Sequence, residues 1–228
     1  MIAFHGDASI KAKYLRRVEL HAAADEIIHG KYWERGKGCA VGCTIHSSNH
    51  ASYETELGIP IMLARLEDLL FEGMANGNSK QFPARFLSVI TPGADLTRIG
   101  WQFLYWLLTE ELASRDDPRV AKEIKACADV LIPLTKGELV DRKAADLAWR
   151  AARDARSRLW GAADADAPAA AAADAAAAAA ADAADAADAA AAAAAARKNC
   201  YERMAKKLLE LLAAAPFPVI QAFFARAA

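Results

Sequence analysis

The stretch GKGCAVGCTIHSSNH, Gly36 to His50, sets Cys39, Cys43, His46 and His50 close together, and all five histidines of the chain lie at or before its end. Thiolate sulfur and imidazole nitrogen are the ligands zinc prefers, and a cysteine beside a histidine is also the minimum for an activated thiol nucleophile. In a helix the four residues would fall at i, i+4, i+7 and i+11, a core-facing seam that Glu54 and Leu57 continue. In a loop, which Gly36, Gly38, Gly42 and the Ser47-Ser48-Asn49 run permit, they could curl around one centre. Both conformations turn the same side chains inward.

Three chemistries stay open. A metal site draws on Cys43, His46, His50 and His21, and zinc or another divalent transition metal is the candidate cofactor. One continuous helix would spread the four residues of the stretch over roughly 16 Å, too far for a single ion, so His21 or Asp25 would complete a smaller set. A thiol site draws on Cys39, His46, His21 and Asp25, with the helix start lowering the Cys39 pKa and a histidine as base. Against it, nothing histidine-bearing follows His50. The third reading is an internally hydrogen-bonded polar core.

The elements that must position these groups read as helices. A first helix is expected from Ala8 to His29, capped by Asp7 or Ser9 and stopped by Gly30. Ile10, Tyr14, Val18, Ala22 and Ile28 form its apolar stripe, and His21, Asp25 and His29 project into that stripe. An unpaired charge there would cost several kcal/mol, so these residues need partners. Tyr32, Trp33, Arg35 and Lys37 read as an aromatic anchor with a basic edge, or as the wall of a site for a planar or anionic ligand.

Further on, Pro60 opens a helix with Met62, Leu63, Leu66, Leu69 and Leu70 inward and Arg65, Asp68 and Glu72 opposite. GMANGNSKQFP reads as a loop, Phe82 to Ile90 as a short helix, and RIGWQFLYWLLTEEL as a central helix. Val120, Ile124, Cys127, Leu131 and Leu134 follow at helical spacing, which makes Cys127 a core residue. No segment alternates with period two, so no strand is expected.

GKGCAVGCTIH resembles a stretch found in a family of uncharacterised bacterial proteins that also carry alanine-rich tails, and the resemblance covers most of the chain. It implies no activity, cofactor or partner.

From Gly137 the composition changes. Glu138 to Trp160 carries an alanine face opposite Arg142, Lys143, Arg150, Arg153 and Arg156. The tract after Pro168 carries alanine opposite Asp174, Asp182, Asp185 and Asp188. It looks similar to alanine-rich antifreeze helices but lacks their regularly spaced threonines, and a helical spacer or packing arm is the expectation. Tyr201, Met204, Leu208, Leu211 and Leu212 resume an ordinary stripe. The chain therefore reads as an all-α protein, with a multi-helix head over residues 1–136 and an alanine-rich helical arm over 137–228. The arm is expected to fold back as a hairpin near Gly161 to Pro168.

Net charge is −1, so no basic field gathers nucleic acid, and the arginine face is a weak candidate for it. Four cysteines are too few for a disulfide scaffold, and a reducing cytoplasm is the expected setting. Neither a secretory signal nor a membrane span is read. Two functions are weighed: an enzyme or small-ligand binder at the Cys/His pocket, and a protein-interaction module. The second would use the arm and the terminal FPVIQAFF, leaving the pocket structural.

Overall fold

A computed structural model describes residues 1–111, 121–141, 143–148, 150–151 and 183–218. The protein is all-α. The helices are α1 (Ala8–Ala23), α2 (Ala40–Ile45), α3 (Ser52–Leu57), α4 (Ile61–Gly73), α5 (Asn76–Ser79), α6 (Phe82–Val89), α7 (Ile99–Trp106), α8 (Ala121–Lys136) and α9 (Ala183–Ala213). A π-helical turn, Leu107–Glu111, follows α7. Two compact units do not follow chain order. Unit 1 comprises Met1–Glu72, Gly77–Ile99 and Leu209–Ala228, and unit 2 comprises Gly73–Asn76 and Gly100–Leu208.

Unit 1 is built around α1, which packs on α2 and α6. Asp7 is its N-cap, accepting the Ser9 N–H at 2.7 Å, and Tyr14 and Val18 are its buried residues. The helix ends at Ala23, six residues before the expected stop. Asp25 takes a left-handed conformation (φ 55°), and Ile27 leaves the helix to bridge Gly38. The helix-end carbonyls of Leu20, His21 and Ala22 accept from the N–H groups of Ala24, Glu26 and Asp25, and the Ile28 N–H and Glu26 carbonyl then pair with Gly38, so His29 and Asp25 never join the stripe of α1.

A strand pair also appears where none was expected. Trp33–Glu34 (β1) pairs antiparallel with Lys37–Gly38 (β2) across Arg35 and Gly36, both at positive φ. That is the turn geometry of a two-residue hairpin, and strands this short carry no readable periodicity. Gly38 and Gly42 are glycine because the Tyr32 carbonyl lies against them; an added Cβ would stand 2.1 Å and 1.4 Å from its oxygen.

Helix α4 turns its face by about one position from the expected stripe. Leu63, Leu66, Leu70 and Phe71 are buried, Glu67 is fully buried with them, and Leu69 is 51% exposed. The loop expected after α4 contains the single turn α5.

In unit 2, Glu111 is buried and takes a two-pronged ion pair from Arg203, whose Nε donates at 3.0 Å. Cys127 is half-buried and faces the Ala148 carbonyl at 3.8 Å. Gly137, at φ 81°, follows α8, and residues 143–148 and 150–151 are helical. Met204 and Leu208 of the predicted α9 stripe are buried in unit 2, and Leu212 is buried in unit 1. Most of the arginine face, the turn expected at Gly161 to Pro168 and the end of the terminal segment lie outside the described residues. No helix among the described residues is long and apolar enough to cross a membrane.

Candidate metal centre

The predicted Cys/His seam is divided by the fold. Helix α2 is short: Cys39 is its N-cap and His46, at φ 54°, its left-handed C-cap. The residues after His46 leave the helix, so the four side chains separate into different surroundings.

His46 meets His21. Their Nε2 atoms are 2.8 Å apart, while His21 Nδ1 lies 2.6 Å from a Glu26 carboxylate oxygen. Trp33 stacks on His46 at 4.3 Å and 12°. The two histidine ring centroids are 5.1 Å apart, little more than the Nε2–Nε2 distance plus two ring radii. The nitrogens therefore point along the line joining them, which is hydrogen-bond geometry. A His21 tautomer that donates from Nδ1 to Glu26 leaves its Nε2 as the acceptor for His46 Nε2–H. An ion bridging them at the usual 2.0–2.1 Å metal–nitrogen distance would force the nitrogens apart and tilt both rings. Burial, followed by the nearby Arg17 and His21, holds the His46 pKa below its ordinary value.

Cys43 is buried and points at the Gly38 carbonyl (3.3 Å) and the Glu26 carbonyl (3.7 Å). Burial pushes its thiol up to about 12. Asp25, expected inside, is 78% exposed at its side chain and pairs with Lys80. Neither faces a ligand-type cluster.

Cys39 does. Its sulfur and one oxygen each of Asp68 and Glu72 all lie within 4.8 Å of one another, the one such ligand group among the described residues. Asp68 and Glu72 stand one turn apart on the same face of α4. Cys39 is held at the start of α2 by its N–H, which donates to the Lys31 carbonyl at 2.6 Å. Gly30 N–H donates to both Glu72 oxygens at 3.0 Å. Each carboxylate has a histidine beside it: His50 Nε2 is 3.5 Å from Asp68, and His29 Nδ1 is 3.5 Å from Glu72. His29 is fixed from behind by Ser79 Oγ at 2.7 Å and by the Phe71 ring. The second Asp68 oxygen, Oδ1, is buried and has no hydrogen-bond partner.

Burial pushes the Cys39 thiol well above its ordinary value, and the adjacent Asp68 carboxylate adds to the shift. This is opposite to the lowering expected at a helix start. The group lines a cleft of about 210 Å³ with Gly30, Lys31 and Tyr32. Cys39 is at its buried end and Glu72 at its exposed end.

No family model, curated protein or solved structure matches this chain. The chemistry of the site therefore rests on its own geometry. The sequence pattern places Asp68 and Glu72 opposite the apolar stripe of α4, outside the candidate site. The signal that could have found them is the like-charged i, i+4 pair, which destabilises a helix slightly unless something neutralises it.

Proposed function

We propose that this protein binds one divalent transition-metal ion through Cys39, Asp68 and Glu72, and uses it as a Lewis acid on a small molecule. The observation that carries this reading is the convergence of three donor atoms of metal-ligand type within 4.8 Å at the wall of a cleft. An orphaned carboxylate oxygen costs about 1–3 kcal/mol, and a cation between Asp68 and Cys39 removes that cost. Binding would release the Cys39 proton, because the ligand is the thiolate. One sulfur with two carboxylate oxygens suits zinc or cobalt better than the harder magnesium or calcium. Three protein ligands beside open space are the pattern of catalytic zinc sites, whereas structural sites are closed by four. His50 and His29 would orient the carboxylates from outside the ligand set.

Cobalt(II) titration tests the proposal. One equivalent should bind with a sulfur-to-metal charge-transfer band in the near ultraviolet, and proton release should accompany it. Cys39→Ser should abolish the band, and Glu72→Gln, which removes a direct ligand, should weaken binding by more than the roughly 10–100-fold that loss of an outer-shell partner costs. Uptake without the band, or with a band that survives Cys39→Ser, would sink the assignment.

A further inference from the structure

Beside the three donor groups lies a wider hollow of about 480 Å³, lined by Tyr32, His50, Arg65, Asp68, Leu69 and Glu72. Its floor is one face of α4, on which Arg65, Asp68, Leu69 and Glu72 stand at i, i+3, i+4 and i+7. Metal binding alone does not account for three of these residues. Arg65 has no hydrogen-bond or ion-pair partner among the described residues, although two carboxylates share its helix face. Leu69 and Tyr32 are 51% and 49% exposed. Tyr32 stands edge-on to His50 at 5.5 Å, so its ring forms a wall. An apolar wall with a few convergent polar groups is the make-up of a small-molecule site.

We propose that this hollow binds a small organic carboxylate, with Arg65 taking the carboxylate and a second polar group of the ligand reaching the metal position. The inference rests on the metal reading. Without a cation, Asp68 and Glu72 repel an anion placed beside Arg65. With a divalent ion bound, the charge of the three ligands, counting Cys39 as thiolate, falls from −3 to −1, and the Arg65 guanidinium offsets the remainder. A guanidinium takes a carboxylate through two parallel N–H donors, a fit that an ammonium cannot reproduce. Along α4, Arg65 precedes Asp68 by roughly 4.5 Å and Glu72 by roughly 10.5 Å. The ligand's two polar groups are therefore separated by a short carbon chain, which lies against Tyr32 and Leu69. Phosphate fits less well: Arg65 is the sole Lys or Arg lining the hollow, and Lys31 in the adjoining cleft is engaged by Glu34 at 2.6 Å.

Calorimetric titration of the cobalt-loaded full-length protein with glutarate, its uncharged diamide and inorganic phosphate tests this. Glutarate should bind, perturb the cobalt visible spectrum and bind at least about tenfold more weakly to Arg65→Ala. Arg65→Lys should recover only part of the loss, and Leu69→Ala should weaken binding while leaving the cobalt band intact. The proposal is overturned if the diamide binds as well as glutarate, if Arg65→Ala binds like the wild type, or if phosphate binds more tightly. Normal cobalt uptake without glutarate binding removes this inference and leaves the metal site standing, whereas no cobalt uptake removes both.

Discussion

Glu67 and Asp68 are neighbours in sequence and meet opposite surroundings. Asp68 faces the cleft, and Glu67 is fully buried, accepting the Tyr53 O–H at 2.7 Å while its Oε1 has no partner. Burial, reinforced by Asp68, raises the Glu67 pKa from 4.5 to about 8. Between those values the folded protein holds a proton that the unfolded chain has lost. The associated stability is fully present below pH 4.5 and is lost as pH rises through 8, about 5 kcal/mol over the whole window. Glu67→Gln should flatten this slope, and urea denaturation in chelator at pH 5 and pH 8.5 will measure it. A wild-type stability that does not fall between those two pH values contradicts the assignment. Cys39 gives a second prediction at this scale. With its thiol protonated by burial and by Asp68, it should react with iodoacetamide at neutral pH at least about tenfold more slowly than in urea. Rapid native labelling, located by mass spectrometry, would instead reopen the nucleophile reading.

The elements that carry the centre depend on a close backbone approach as well as on side-chain packing. The Tyr32 carbonyl lies on both Gly38 and Gly42, bringing the chain before β1 against α2 and the Cys39 sulfur toward α4. Gly42→Ala should therefore cost about 3 kcal/mol or more, since a Cβ would overlap backbone that cannot turn aside. Gly36→Ala meets open space and should cost only about 1–2 kcal/mol, for its left-handed φ of 84°. Denaturant titration should rank the two variants in that order, and equal losses would mean that α2 does not sit against Tyr32. Asp7→Ala removes a helix cap and should cost about 1 kcal/mol without affecting metal uptake.

For the molecule, the candidate centre belongs to unit 1, and Trp33 is the one tryptophan of that unit. A variant in which the other tryptophans are replaced by phenylalanine reports unit 1 through fluorescence. Zinc at a hundred times its dissociation constant should stabilise the unfolding followed by Trp33 by about 2.7 kcal/mol, and Asp68→Asn should abolish that gain. A gain that persists in Asp68→Asn would place the ion elsewhere. In unit 2 the two-pronged Arg203–Glu111 pair leaves a buried carboxylate when the arginine is removed. Arg203→Ala should lower the midpoint of thermal unfolding only modestly, because Arg203 is itself more than half exposed.

The class and most of the helices are legible in the residues alone. Apolar spacing marked the runs that became α4, α6, α7, α8 and α9, and Asp7 marked the start of α1, because those signals lie within a few residues of one another. The residue types also singled out Cys39 and the histidines as too polar for an ordinary core. Their partners come from contacts between distant segments. Where α1 ends depends on Ile27 finding Gly38, and the fate of His46 depends on His21 and Trp33. The ligand set depends on which face of α4 turns toward Cys39, and one position of helix rotation buries Glu67 and opens Asp68 to the cleft. Local propensity is nearly indifferent to such a rotation. It is chosen by packing between segments far apart in the chain, which no short window of sequence contains.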